Sequence, residues 1–280
     1  MGPGRVITSL RVAFAHKELL QNLTLRELRT RYRRSVLGWG WSLLNPLVIT
    51  LCYSLVFGVI LGVRPEVGSP SGNDVFAFFL VAGLLPWNYF ANGVLASATS
   101  ILGAQPLINK VYFPRELIVF ATVLSLLVTL AIELTVCNLL LLAFGYSALQ
   151  FTPWLLVTMG IQTLFLTGVA LALAAASVRS RDVPYLIGLT LTVWFFVTPI
   201  VWSERALHNG QEVFGFTVPL RSILLANPMA RFTIAYRRML YDGAPPGLKT
   251  LAGLLVISVA SFVVGYHYFH RRAPYFAQEL

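Results

Sequence analysis

The sequence predicts an all-α membrane protein with six transmembrane helices. Three observations carry this reading. Of 280 residues, 57% are hydrophobic and only 11% are charged. The mean hydropathy is +0.73. Uncharged runs long enough to cross a bilayer recur along the chain. A soluble domain carries about 25% charged residues, so these few charges cannot build a water-facing surface. The composition is also the reverse of a disordered chain's. The formal net charge of +10 is then a matter of where basic residues sit relative to the bilayer, and it calls for no nucleic-acid partner.

A helix crossing the hydrocarbon core needs about 20 mostly apolar residues. The uncharged stretch between Arg34 and Arg64 predicts a first span over Trp39 to Leu61. The next, between Asp74 and Lys110, predicts a second over Phe76 to Ala98. A third runs from Leu117 to Phe144 and holds one acid, Glu133. Gly145-Tyr146-Ser147 and Pro153 are turn punctuation, and they open a fourth span at Trp154 to Ser177. The fifth is expected over Tyr185 to Trp202 and the sixth over Leu251 to Phe269. Residues 1–37 lack the short apolar core and small-residue cleavage site of a signal peptide, so the first span is expected to stay as an anchor. Cys52 and Cys137 lie in apolar runs and are expected to be packing residues, with no metal site.

Orientation follows from the basic residues. Residues 1–37 carry Arg5, Arg11, Lys17, Arg26, Arg29, Arg31, Arg33 and Arg34. The loops after spans two and four carry Lys110, Arg115, Arg179 and Arg181, and the tail carries Arg271 and Arg272. The positive-inside rule therefore puts both termini in the cytoplasm of a multi-pass protein of the cell membrane. The loop after span five dissents with five arginines, but the rule weakens for long loops.

Three segments do not span. Residues 16–37, within a cytoplasmic N-terminus of residues 1–37, read as an amphipathic helix with Leu25, Leu28, Tyr32 and Val36 on one stripe. Such a helix lies in the headgroup layer against membrane lipid, or also meets a cytoplasmic partner or an anionic lipid-linked substrate. The remainder, residues 38–280, forms the six-span domain. Within it, the short loop 105–115 has Pro106 at a first helical position and Pro114 pushing Phe113 out of helix. It presents Leu107, Ile108, Val111, Tyr112 and Phe113, an apolar density that marks a docking surface or a helix folded back on its own spans. The segment 203–247 holds two short apolar pieces. One runs from Phe214 to Ala226. The other starts at Asn227-Pro228, with Asn as N-cap, and carries Met229, Phe232, Tyr236, Met239 and Leu240 at helical spacing. Together they suggest a re-entrant outer hairpin, tolerated only against protein or a water-filled cavity, or a pair of helices on the outer leaflet.

The chain has no G-x-x-x-x-G-K-[ST] loop, so it cannot hold and split ATP in that manner. No catalytic Ser/His/Asp set, H-E-x-x-H or paired intramembrane carboxylates occur. Glu133 stands out as the acid inside a span: either it takes a direct part in transport, or, as is rather expected, it faces the bundle and pairs with a Ser, Thr or Asn of another helix. Aromatics make up 13% of the chain. Trp87, Tyr89, Phe90, Trp194, Phe196 and Trp202 suit either an interfacial belt or a lumen. Tyr53, Phe57 and Phe195, placed mid-span, weigh toward a lumen in which flat rings stack on sugar C–H faces.

The run Leu28-Arg29-Thr30-Arg31-Tyr32-Arg33-Arg34-Ser35-Val36-Leu37-Gly38, then Trp41 and Asn45-Pro46, resembles the opening of membrane subunits of ABC transporters that export polysaccharides, such as O-antigen, capsule, teichoic-acid and galactan exporters. Leu84-Leu85-Pro86-Trp87-Asn88-Tyr89-Phe90, Leu107-Ile108-Asn109-Lys110-Val111-Tyr112-Phe113-Pro114-Arg115-Glu116, Asp182-Val183-Pro184, Thr198-Pro199-Ile200-Val201-Trp202 and Asn227-Pro228-Met229 continue the likeness, which runs from about Leu28 to Tyr241. The resemblance implies a homodimer bound to two copies of a cytoplasmic ATPase that carries the Mg-ATP. It implies that Pro106, Leu107, Ile108, Lys110, Val111, Tyr112, Phe113 and Arg115 form a coupling helix seated on that ATPase. It also implies an aromatic channel at the dimer interface and an outer hairpin that gates its exit. Arg29, Arg31, Arg33 and Arg34 would then meet the pyrophosphate of a lipid-linked glycan. The chain would be no enzyme by itself. The competing readings are a secondary carrier, which would have only Glu133 to offer a coupling ion, and a membrane glycosyltransferase using Glu66 or Asp74 as base.

Overall fold

The structure is a computed structural model that describes residues 16–32, 35, 38, 40–62, 65–108, 110, 113–206, 211–213 and 216–279. Helices dominate it. Helix α1 is Lys17–Tyr32. Helix α2 is Gly40–Tyr53, and its last two turns, Ser54–Ile60, wind more widely as π-helix, closed by Leu61 N–H donating to the Val56 carbonyl at 2.9 Å. Then come α3 (Phe76–Gly103), a single turn α4 (Gln105–Ile108), α5 (Glu116–Ala143), α6 (Thr152–Arg179) and α7 (Val183–Val197). A β-hairpin follows, pairing β1 (Gln211–Val213) with β2 (Phe216–Val218) in the register Gln211 opposite Val218. Helices α8 (Leu220–Ala226), α9 (Pro228–Leu240), α10 (Leu248–Arg272) and α11 (Phe276–Glu279) complete the chain.

Among the described residues, five helices are long and apolar enough to cross a membrane: Leu43–Ile60, Phe76–Gly103, Glu116–Ala143, Leu149–Arg179 and Leu248–Tyr275. The fifth predicted span is a shorter helix. The 15 residues of α7 rise roughly 22 Å at 1.5 Å each, against a hydrocarbon core of about 30 Å. The chain leaves helix at Thr198, whose extended backbone is followed by Pro199.

Between apolar helices in lipid, burial of apolar surface supplies little drive, and close contact plus polar bonds do the joining. Helices α6 and α10 touch backbone to backbone. A Cβ on Gly168 would lie 2.5 Å from the Ser261 carbonyl oxygen, and one on Gly265 would lie 2.7 Å from the Gly168 carbonyl carbon. Ser261 Oγ donates to the Phe165 carbonyl across the same seam at 3.2 Å. Helices α3 and α6 are tied by Gln162 Nε2 donating to the Pro86 carbonyl at 2.8 Å and by the Tyr89 and Thr163 hydroxyls at 2.9 Å.

Helix α1 packs on α5 through Leu23, which closes over Leu117 and Ala121 with Leu19, Leu20 and Leu107 at the border, and Leu28 is buried as well. This corrects the expected stripe. Leu25 is exposed and Leu23 is buried, because the buried face runs through Leu19, Leu20, Leu23 and Leu28. Tyr32's side chain and Val36 lie outside the described residues. A second correction concerns the apolar piece from Phe214 to Ala226, of which 214 and 215 lie outside the described residues. Phe216–Val218 are strand, and helix begins only at Leu220, where Pro219 closes off the extended run.

Candidate functional site

The aromatic residues singled out in the sequence mostly converge. A cavity of about 480 Å³ lies between the wide turns after α2, the start of α3 and the end of α7. Tyr53, Phe57, Phe195, Phe196 and Trp202 line it, together with Phe79. Tyr53 stacks on Phe195 with centroids 6.4 Å apart and meets Phe57 edge-on at 5.8 Å. Phe195 meets Phe196 at 5.3 Å. Trp202 is held by its indole N–H donating to the Phe196 carbonyl at 3.2 Å. Behind this wall a second row is buried in the core: Trp87 contacts Phe195 at 5.8 Å and Trp194 at 6.4 Å, and Phe90 contacts Trp194 at 5.3 Å. Offset and edge-on pairs of this kind fix ring orientations. Tyr89 does not join them. It is buried against α6, with its hydroxyl at Thr163.

Helix α9 closes the same end of the molecule. Asn227 caps it, its Oδ1 accepting from Met229 N–H at 3.0 Å, as the Asn-Pro pair leads one to expect. That oxygen also accepts from the Trp194 indole at 2.9 Å, and Asn227 Nδ2 lies 3.2 Å from Thr198 Oγ1. The cap thus ties α9 to the end of α7. Met229, Phe232, Tyr236 and Met239 are fully buried, so α9 is set into the bundle against α3, α6 and α10.

Buried with that face is a cation the sequence reading passed over. Arg237 is only 4% exposed. Its guanidinium lies 3.7 Å from the Phe79 ring centroid, donates to the Ile200 carbonyl at 3.0 Å and pairs with Glu204 at 3.4 Å. Gly83 leaves it room, since a Cβ there would come 3.0 Å from Arg237 Nη2. A signal existed: Arg237 is four residues after Thr233 and three before Leu240, on the apolar stripe itself. Beside it Arg205 pairs with Asp242 at 2.8 Å and with Glu66 at 3.5 Å. Burial opposes the Arg205 charge, but Asp242, Glu204 and Glu66 outweigh it and hold its pKa above the ordinary value. Burial likewise raises the Asp242 carboxyl above the usual range, although Arg205 pulls it down. Ser71 Oγ donates to the Tyr241 carbonyl at 2.5 Å, Ser71 N–H to the Asp242 carbonyl at 2.8 Å, and the Tyr241 hydroxyl to the Glu66 carbonyl at 3.1 Å. The loop 65–74, the turn at 204–205 and the end of α9 are therefore one knot.

At the opposite end of α3, the segment 105–115 is partly folded back. Leu107 borders the α1–α5 contact, and Ile108 and Phe113 pack on the main core. Pro106 and Lys110 are exposed. Arg115 donates to the Ala273 carbonyl and lies 5.8 Å from the Phe276 ring, while Glu116 faces His270 at 3.5 Å. Val111 and Tyr112 lie outside the described residues. Of the four arginines expected to meet an anionic headgroup, Arg29 is exposed on α1. Arg31's side chain, Arg33 and Arg34 lie outside the described residues. Glu133 has no hydrogen-bond or ion-pair partner among the described residues. It lines a cavity with Asn45, Asn88, Asn92 and Thr129 without bonding to any of them, in place of the expected pairing.

Five helices long and apolar enough to cross a membrane among the described residues, with an aromatic cavity and a buried-ion knot around an inserted short helix, define a multi-pass membrane protein. The chain belongs to the ABC-2 type transporter family, whose pattern matches residues 18–241. It is 30% identical over 276 residues to the O-antigen export system permease protein RfbA of Myxococcus xanthus, covering 98% of this chain and 100% of that one. It is 26% identical over 267 residues to the protein of the same name from Klebsiella pneumoniae, covering 94% and 95%. The polysialic acid transport protein KpsM of Escherichia coli is 22% identical over 251 residues, covering 89% and 91%.

Proposed function

We propose that this chain is the transmembrane subunit of an ATP-driven exporter that moves a lipid-linked polysaccharide across the cytoplasmic membrane. The observation that carries the reading is the full-length likeness to permeases named for O-antigen export, joined to an aromatic-walled cavity of about 480 Å³ at the α2–α7 edge. Leu51, Val59, Ile60, Leu189 and Val193 on those two helices are exposed and apolar. In a homodimer this edge meets its copy, and the two aromatic cavities join into one conduit. Helix α7 and the residues after it complete a sixth crossing, and both termini lie in the cytoplasm. The rings of Tyr53, Phe57, Phe195, Phe196 and Trp202 offer flat apolar faces. A glycan can slide past such faces without being read.

Energy comes from two copies of an ABC ATPase on the cytoplasmic side, which hold the Mg-ATP. The segment 105–115 and helix α1 meet them. Because Leu107, Ile108 and Phe113 pack inward, a push on the turn is delivered to α1, α5 and the core rather than absorbed by a loose loop. Arg29, with Arg31, Arg33 and Arg34, receives the pyrophosphate of the lipid carrier, since guanidinium–phosphate bonds are strong and directional. Helix α9 and its ion knot gate the exit.

The decisive experiment is reconstitution. The chain purified with an ABC ATPase should export glycan from vesicles only with ATP and magnesium, and only with the ATPase present. Transport by this chain alone, driven by an ion gradient, would overturn the reading.

A further inference from the structure

A second cavity, of about 420 Å³, shares α2 and α3 with the aromatic one but has α5 as its third wall. Pro46, Leu95, Ala96 and Leu126 form part of its lining, and the rest is three pairs spaced four residues apart, so each pair sits on one helix face. Trp41 and Asn45 come from α2, Asn88 and Asn92 from α3, and Thr129 and Glu133 from α5. The volume falls in the range of roughly 300–1,000 Å³ usual for small-molecule sites.

Thr129 Oγ1 donates to its own helix at the Ser125 carbonyl, 3.3 Å away. The three carboxamides and the carboxylate have no hydrogen-bond partner among the described residues. Asn45 and Asn92 are exposed and Asn88 and Glu133 half-buried on helices long and apolar enough to span, and unpartnered amides and an acid on such helices are expensive against hydrocarbon and line bundle interiors or water-filled cavities. They must be met by something that both donates and accepts hydrogen bonds. The half-exposed indole of Trp41 adds a flat apolar face beside them. Carboxamides, one carboxylate and one indole are the complement of a sugar ring, which presents hydroxyls around its rim and C–H bonds on its face.

We propose that this cavity is a sugar-ring subsite of the transport path, in which Glu133, Asn45, Asn88 and Asn92 hydrogen-bond glycan hydroxyls while Trp41 stacks on the ring. The inference rests on the export reading above and adds to it a place where the glycan is held, distinct from the aromatic wall where it slides.

The test uses the full chain with its ATPase in cells making the glycan. A photo-crosslinking benzoylphenylalanine is placed at Asn92, at Phe57 on the aromatic wall, or at Val256, which is exposed on α10. Irradiated membranes are blotted for glycan attached to this chain. An adduct is expected at 92 and 57 and none at 256. Glu133→Leu should lower the adduct at 92 roughly tenfold, the loss of a hydrogen bond to a charged group. Glu133→Gln, which keeps an acceptor oxygen and gains a donor in its amide, should restore most of it at equal chain level. An adduct at 57 but not at 92 overturns the subsite and leaves the export reading standing. So does a 92 adduct unchanged by Glu133→Leu, or a crosslink from 92 to a second copy of the chain. No glycan adduct at either position overturns both.

Discussion

Arg237 is where the structure makes its sharpest energetic claim. Replacing it with Met keeps length and apolar volume but removes the charge. Three contacts go at once. The cation over Phe79 at 3.7 Å is a desolvated pair worth about 2 kcal/mol. The Ile200 carbonyl, accepting at 3.0 Å, becomes an orphan at roughly 1–3 kcal/mol. Glu204, 3.4 Å away and mostly buried, loses its counter-charge. Removing one member of a buried ion pair typically costs about 3–5 kcal/mol, and that is the expected loss for Arg237→Met. The assay is denaturation of the purified protein in mixed micelles, followed by far-UV circular dichroism. A double-mutant cycle sharpens it. Glu204→Met added to Arg237→Met should recover stability, because the stranded carboxylate is gone, with a coupling of roughly 1–3 kcal/mol. A single variant within about 0.5 kcal/mol of wild type, or a cycle that adds without coupling, would show that Arg237 is solvated and that α9 is not set in the bundle as described.

Further outcomes follow from other contacts. Gly265→Ala puts a carbon 2.7 Å from the Gly168 carbonyl carbon, against an ordinary contact of about 3.5 Å. Because the neighbour is backbone, α6 and α10 must part, and overpacking of this kind costs about 1–3 kcal/mol, read as a lower midpoint in the same denaturation. Tyr53→Ala with Phe195→Ala should cut glycan export several-fold while the ATPase still co-purifies; unchanged export would remove the aromatic wall from the path. Lys110→Glu, an exposed site at the turn, should weaken co-purification of the ATPase with membrane insertion intact. For Asp242 the sign of the pH effect is set by burial. Its folded-state pKa lies above the ordinary value, so the fold holds that proton more tightly than the unfolded chain. The contribution to stability therefore rises as pH falls through the window between the raised and the ordinary value. Asp242→Asn should flatten that part of a pH–stability profile.

The spans were legible because charge is costly in hydrocarbon, so their limits are written in single residues. Phe76 opens α3 where Asp74 ends the charged stretch, and Glu116 and Arg179 bound α5 and α6. The Asn227-Pro228 start was legible for a local reason, since an N-cap is made by the residue and its own helix. What the sequence hid depends on partners far along the chain. Leu23 rather than Leu25 is buried because Leu117 and Ala121 sit over it. Tyr89 turns away from Trp87 because Thr163 offers its hydroxyl. Leu107, Ile108 and Phe113 look like a free apolar patch in sequence and are half-covered in the fold.

On the proposed reading, the two cavities flanking α2 divide the labour in a way that composition alone could not suggest. One is walled by rings whose orientations are fixed by each other, and the other by amides and an acid that bond to nothing in the described chain. A conduit needs both kinds of surface. Rings give contacts weak enough to let go, whereas polar groups hold in register whatever stands before them. A site that only stacked would not stop a polymer slipping back between strokes of the ATPase, and one that only hydrogen-bonded would not release it. Helices α2 and α3 are walls common to both, and α1, which precedes α2 in the chain, packs on α5. Shifting α2 by one residue, with a single Ala inserted after Ile49, turns its downstream face by about 100°. It should carry Tyr53 and Phe57 off the aromatic wall while Trp41 and Asn45 stay in place, so that the photo-adduct at Asn92 persists and export stops. Export surviving that insertion would mean that α2 does not line the path.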